Sequence, residues 1–363
     1  MLSKITKFKS IFLIVTSIVL GLVIGSIILL LAHYNPLQVY STLFVGIFAK
    51  PKYILWTLLK ATPIIMTGLS VAFAFRIGMF NIGAEGQYMI GALLAVICGY
   101  YLDLNSSIHP IIIIIIAMLG AGIFGGIAGY LKIKFDLNEV ISTIMLNWIA
   151  FYFYNYMIDT PFLNKGMNVS HKIKASAKLT IISSNDFLEK TNTFLYDLEK
   201  VKFHWGFFIA IILAVICWII LEKTTLEFQM KAVGLNPNAS EHAGIDIKRN
   251  KILGMFIAGA LAGAGGAIQV LGVNFGITTL AAMQGLGFEG IAVALVANSS
   301  PIGCIFSGLL FGGLRYGATK IQVPPISAPS EIINVIIGMI VLFIAVPKII
   351  EVLIRNRGEQ YDK

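Results

Sequence analysis

The amino-acid sequence predicts an all-α integral membrane protein of about ten transmembrane helices, and three observations carry that expectation. Hydrophobic residues make up 57% of the 363, charged residues only 12%, and apolar runs of about twenty residues recur from end to end. A soluble domain usually carries about a quarter charged residues and cannot hide so much apolar surface. The mean hydropathy of +0.85 agrees, and the run length suits a hydrocarbon core ~30 Å thick. Backbone amides in lipid must bond within their own segment, so these runs are helices.

The first run, near 11 to 32, follows Lys4, Lys7 and Lys9. No small-residue cleavage site follows it before His33 and Pro36, so it reads as a retained helix with a cytoplasmic N-terminus at 1–10. Spans near 54 to 75, 83 to 102, 109 to 131 and 138 to 158 come next. A second set lies near 204 to 221, 251 to 272, 282 to 298, 301 to 319 and 332 to 350, the pair around Pro301 being candidates for shorter or re-entrant segments. The transmembrane domain therefore covers 11–350, and ten crossings return the tail 351–363 to the cytoplasm. The loop 222–251, with Lys223, Lys231, Lys248, Arg249 and Lys251, falls inside as the positive-inside rule expects. The segment 159–203 falls outside although it holds seven lysines, since long segments obey that rule weakly.

The formal charge of +9 is spread over loops and termini, which suits membrane-surface orientation and not a nucleic-acid partner. Cys98, Cys217 and Cys304 lie within apolar spans, without metal-ligand spacing, and read as packing residues. The letters Gly120-Ala-Gly-Ile-Phe-Gly125 match a dinucleotide fingerprint, but they lie inside an apolar helix and follow no strand. Gly122, Gly126, Gly259 and Gly263 are instead expected to let helices approach closely. The string Gly312 to Thr319 lacks the lysine of a phosphate loop, with Ala318 in its place, so no ATP-hydrolysing domain is encoded. No catalytic constellation or metal set appears, and the chain reads as a non-enzyme without its own cofactor.

The densest polar group in the apolar background is Arg76-Ile-Gly-Met-Phe-Asn81-Ile-Gly83-Ala-Glu85-Gly86-Gln87. Two readings are open: glycines flanking Glu85 mark broken backbone at a cavity or gate, or Arg76 marks a turn and Glu85 favours a helix N-terminus. Gly287-Phe-Glu289-Gly290 repeats the Gly-x-Glu-Gly pattern of Gly83 to Gly86. By the topology above, the third span runs outward and the eighth inward, so spans 2–5 and 7–10 form an inverted repeat.

In the inner loop, Asn236 is an N-cap, Pro237 suits the first helical position, and Gly244 suits a left-handed end. A helix so short is not stable alone. It reads as a docking element, in preference to a helix resting on headgroups.

At these residues the chain resembles a known family. Phe80 to Gln87, Ala232 to Ile245, Ala258 to Ala267 and Gly287 to Leu295 are similar to the permease subunits of bacterial ABC importers, of the branched-chain amino acid, ribose and simple-sugar group. Within that group the chain looks most like nucleoside importers served by a basic membrane lipoprotein; the turn Ala297-Asn-Ser-Ser-Pro301 departs from the pattern. The resemblance implies a type II importer permease in the bacterial cytoplasmic (inner) membrane, forming half of a path for nucleosides, purine nucleosides foremost. Its implied partners are a second, related permease, a cytoplasmic ATPase that holds ATP and Mg, and an external substrate-binding lipoprotein. Gly234, Asn236, Pro237, Ala239, Ala243 and Gly244 would form the coupling surface, with the helix at 237–243 seated in the ATPase.

Asn81, Glu85, Gln87, Asn147, Trp148, Gln269 and Glu289 are the expected solute-path residues. A nucleoside needs donors and acceptors for its ribose and base edges and an aromatic face for stacking. The plainer reading is that these side chains bond between helices. The alternatives for the whole chain are a permease for a simple sugar or another small polar solute, and an ion-coupled secondary transporter with Glu85 and Glu289 as ion sites.

Overall fold

A computed structural model of the protein describes residues 2–160, 168–181, 200–329 and 331–345, with side chains from Val15 to Phe343. The expected tail 351–363, the last residues of the expected tenth span and much of 159–203 lie outside the described residues. Those residues hold α1 (Leu2–Leu31), α2 (Pro36–Phe48), α3 (Pro51–Arg76), α4 (Ala84–Tyr101), α5 (His109–Phe135) and α6 (Glu139–Asp159). After them come α7 (Gly206–Lys223), α8 (Thr225–Leu235), α9 (Pro237–His242) and α10 (Ile247–Gln269), which runs into a π turn at Val270–Asn274. The chain continues with α11 (Leu286–Val296), α12 (Pro301–Ile321) and α13 (Glu331–Ala345). No strand is assigned among the described residues, only the isolated bridges Val169–Thr278 and Thr180–His204.

The apolar segments anticipated from the sequence are helical, but they are not equivalent. Pro51–Arg76, His109–Phe135, Gly206–Lys223 and Ile247–Asn274 are long and apolar enough to cross a membrane. The eighth segment is shorter than its apolar letters suggest: α11 begins at Leu286, after Gly285 at φ 81°, and its 11 residues rise only about 16 Å. Helix α2 was not anticipated; Asn35 caps it through bonds from the Leu37 and Gln38 N–H groups, with Pro36 at its first turn.

The chain divides into two compact units. The first is Met1–Ile54 with Gly313–Lys363. There α1 packs on α13, where Gly21 meets the backbone of Ile340, and α2 is tied to α1 by Tyr40 Oη donating to Leu22 O at 2.7 Å.

The second unit is Leu55–Gly312. Its core is α4, α5 and α10, built on small residues. Gly91 lies against the Gly263 backbone, Gly266 against Tyr88 O, and Gly259 against Ala121 O, so a β-carbon at any of them would collide. Close backbone approach is what holds helices together where lipid removes the hydrophobic drive. Gly122 is equally tight, against Phe256, whereas Gly126 has only Phe256 Cβ at 3.8 Å. Helix α3 packs on α10 to α12 in the same manner, with Gly290 against Thr67 and Gly308 against Ile65. Residues 168–181 lie on the far ends of these helices, with Lys174 N donating to Gly99 O at 2.9 Å and Leu179 N to Leu271 O at 3.1 Å.

Candidate solute path and coupling surface

Between α3 and α4 the helix breaks at Ile77–Gly83, with Gly78 at φ 68°. Gln87 abuts Gly125 of α5, ten residues before Phe135, so this joint lies ~15 Å in from that helix end. That is about half a hydrocarbon core. Backbone at such depth survives only if protein satisfies its polar groups.

The expected path residues do that here. Asn81 and Gln87 exchange side-chain bonds at 2.9 and 3.1 Å, and Asn81 Nδ2 also donates to Ser70 Oγ at 3.2 Å. Asn147 of α6 grips the start of α4 from both sides: its Oδ1 accepts from Gly86 N at 2.8 Å and its Nδ2 donates to Ile82 O at 3.0 Å. Glu85 Oε1 accepts from Gly285 N at 2.8 Å and Oε2 from Gly287 N at 2.5 Å, so its carboxylate caps the N-terminus of α11. The two Gly-x-Glu-Gly strings thus meet, Gly287 lying directly on the Glu85 backbone. Asn81, Glu85, Gln87 and Asn147 are all at most 2% exposed, and a solute running along the surface of this chain would not touch them.

The remaining three lie elsewhere. Glu289 is half-buried on the first turn of α11. Gln269 lines a cavity of about 10 Å³ with Tyr88, Tyr154, Asn274 and Gln284, beside the π turn; that is room for one water. Trp148 is 46% exposed on the outer face of α6.

Sequence reading passed over Asn155, which repeats the two-sided grip of Asn147. Its Nδ2 donates to Leu280 O at 3.0 Å and its Oδ1 accepts from Leu280 N at 2.9 Å. The signal available was a second asparagine two turns along the same apolar helix. His204 was also passed over. It is 1% exposed, accepts from Gly206 N at Nδ1 at 3.0 Å, and burial pushes its pKa down to about 4.

Asn236 Oδ1 accepts from Ala239 N at 3.1 Å to cap α9, Pro237 begins it, and Gly244 closes it at φ 78°, with Ile245 N donating to Ser240 O at 3.0 Å. Asn236, Ala239, Ala243 and Gly244 are exposed, while Pro237 and Gly234 are half-buried. Leu235 and Phe228 beside them are 80% and 69% exposed, an apolar surface left open for contact. Gly234 packs on the Arg76 carbonyl and on Gly78, and Arg76 pairs with Glu222 at 3.5 Å while its Nε donates to Ser299 O at 3.2 Å. The capped helix is therefore one residue pair away from the joint in front of Glu85.

A family model described as "branched-chain amino acid transport system / permease component" matches residues 53–345. The chain is 38% identical over 329 residues to the guanosine ABC transporter permease protein of Bacillus subtilis (strain 168), covering 91% of each chain. It is 38% identical over 354 residues to a nucleoside ABC transporter permease protein of Lactococcus lactis subsp. cremoris, covering 96% of this chain and 94% of the relative. A second nucleoside ABC transporter permease protein of that organism is 28% identical over 257 residues, 70% of this chain and 78% of its own length. No solved structure matches.

Proposed function

Because the chain belongs to the branched-chain amino acid transport system / permease component family, we propose that it is the transmembrane permease subunit of an ATP-driven importer for nucleosides. The observation that carries this is end-to-end identity of 38% to two permeases named for guanosine and nucleoside transport. It is a multi-pass membrane protein and a transport component, and the ATP with its Mg belongs to a separate ATPase chain. The second permease is a related, different chain, as supported by the two nucleoside permeases of Lactococcus lactis. A substrate-binding lipoprotein delivers solute from outside the bacterial cytoplasmic membrane.

In this reading α1, α3 to α7 and α10 to α13 are the ten crossings, both termini are cytoplasmic, and 168–181 faces outward. Helices α4 and α11 are half-helices of an inverted repeat, starting together at mid-depth and leaving in opposite directions. Such discontinuous helices are where transporters place their moving parts. Helix α9 is the coupling helix, and its movement reaches α4 and α11 through Gly234 and Gly78. Among the expected path residues, Trp148, Gln269 and Glu289 border the path, and Asn81, Glu85, Gln87 and Asn147 set the backbone that frames it.

The test is uptake of labelled guanosine into vesicles holding the complete importer. Uptake that requires ATP on the ATPase side supports the reading. Uptake driven by a proton or sodium gradient without ATP would mean a secondary transporter.

A further inference from the structure

We propose that the face of α6 bearing Trp148, Tyr152 and Tyr156 is a stacking rail for the base of the transported nucleoside; this rests on the importer reading above. The three residues are spaced four apart, so they stand on one side of the helix. They are 46%, 63% and 66% exposed, and the Trp148 and Tyr152 rings stack with centroids 6.0 Å apart at 27°.

Depth separates this face from an ordinary lipid-facing one. Helix α6 runs from Glu139 to Asp159, which puts Trp148 about 14 Å from one end and about 16 Å from the other. Aromatic residues that anchor a helix in lipid sit at headgroup level. Trp218 is one of those, five residues from the end of α7 with Lys223 Nζ 5.8 Å from its ring. The exposed stripe of α5 shows what lipid asks for at mid-depth: Ile111, Ile115, Leu119, Ile123 and Ile127, all aliphatic. The α6 stripe instead carries an indole N–H and two phenol hydroxyls, which are costly to leave in hydrocarbon. A path that is wet when open and closed by a second permease removes that cost.

The chemistry fits a nucleoside. Every base offers a π face that stacks on an aromatic ring whatever its sequence of donors, and the indole N–H and phenol hydroxyls reach ribose or base-edge acceptors. The rings climb by ~6 Å per step, from mid-depth to the Asp159 end, so a base released at one ring meets the next. Asn147, adjacent to Trp148, bonds the Ile82–Gly86 joint, which ties the rail to the same element that the coupling helix touches.

The experiment uses the complete importer, in cells without other nucleoside uptake, and compares a Trp148→Leu/Tyr152→Leu/Tyr156→Leu variant with a Tyr152→Phe/Tyr156→Phe variant. The rail predicts that the leucine variant assembles in normal yield but takes up labelled guanosine at least tenfold more slowly, while the phenylalanine variant stays within threefold of the unaltered importer. It also predicts that 8-azidoguanosine, activated by light during turnover, labels the stretch 145–156. Leucine-variant uptake within twofold of normal makes the face a lipid surface and overturns the rail. Loss of the second permease from the purified leucine variant makes it a seam between permeases and also overturns it. If the unaltered importer takes up none of guanosine, adenosine and uridine, the importer reading falls and the rail with it.

Discussion

Asn147 shows how one side chain licenses an irregular backbone in a membrane. It bonds one N–H and one C=O that no helix can satisfy, and a leucine of similar size would leave both orphaned. Each buried orphan costs about 1–3 kcal/mol. Asn147→Leu is therefore expected to lower the stability of the purified protein by about 2–4 kcal/mol, read as a thermal midpoint several degrees lower, with Asn147→Asp falling between. His204 makes a prediction in pH. Its folded pKa, about 4, lies below the unfolded value of ~6.5, so the neutral ring stabilises the fold fully above pH ~6.5 and loses that contribution as pH falls towards 4. About 2 kcal/mol should disappear between pH 7 and pH 5, and His204→Gln should flatten the dependence. Asn81, Gln87 and Asn147 were visible in the sequence because amides in apolar runs stand out. Their partners were not, since Ile82 O and Gly86 N are backbone groups chosen by the fold. Asn155 stayed unnoticed for the same reason.

At the scale of elements, α4, α5 and α10 are held by glycines whose missing β-carbons are the contact. Gly263→Val should abolish the folded protein, because Ala117 O and the Ala121 methyl already touch that position. Gly126→Ala should be silent in expression and uptake, its nearest neighbour being 3.8 Å away. The stripe was legible as spacing, but which of its glycines are tight depends on crossing geometry that spacing does not contain. Helix α9 was legible down to its caps because Asn, Pro and Gly act within four residues of themselves. Ala239 is exposed, so Ala239→Arg should leave membrane insertion and yield unchanged while reducing nucleoside-stimulated ATPase activity of the assembled importer at least tenfold. Helix α2 was missed because its 13 residues are too short for a hydrophobic window tuned to ~20.

The whole chain is a framework whose polar residues mostly face each other and whose outer faces await other chains. Composition alone announced the membrane, since 57% hydrophobic residues admit few other solvents. The half-length of α11 was hidden because its apolar letters continue through the bend at Gly285. A negative group is fixed where α11 begins, and this bears on what the molecule admits. A helix start at mid-membrane is a natural cradle for an anion, yet here Gly285 and Gly287 already donate to Glu85. A phosphate brought to that point would find its seat taken and a like charge beside it, so phosphorylated metabolites are repelled where their uncharged parents are not. Retention of the cell's nucleotide pool would then be a by-product of how one helix is capped.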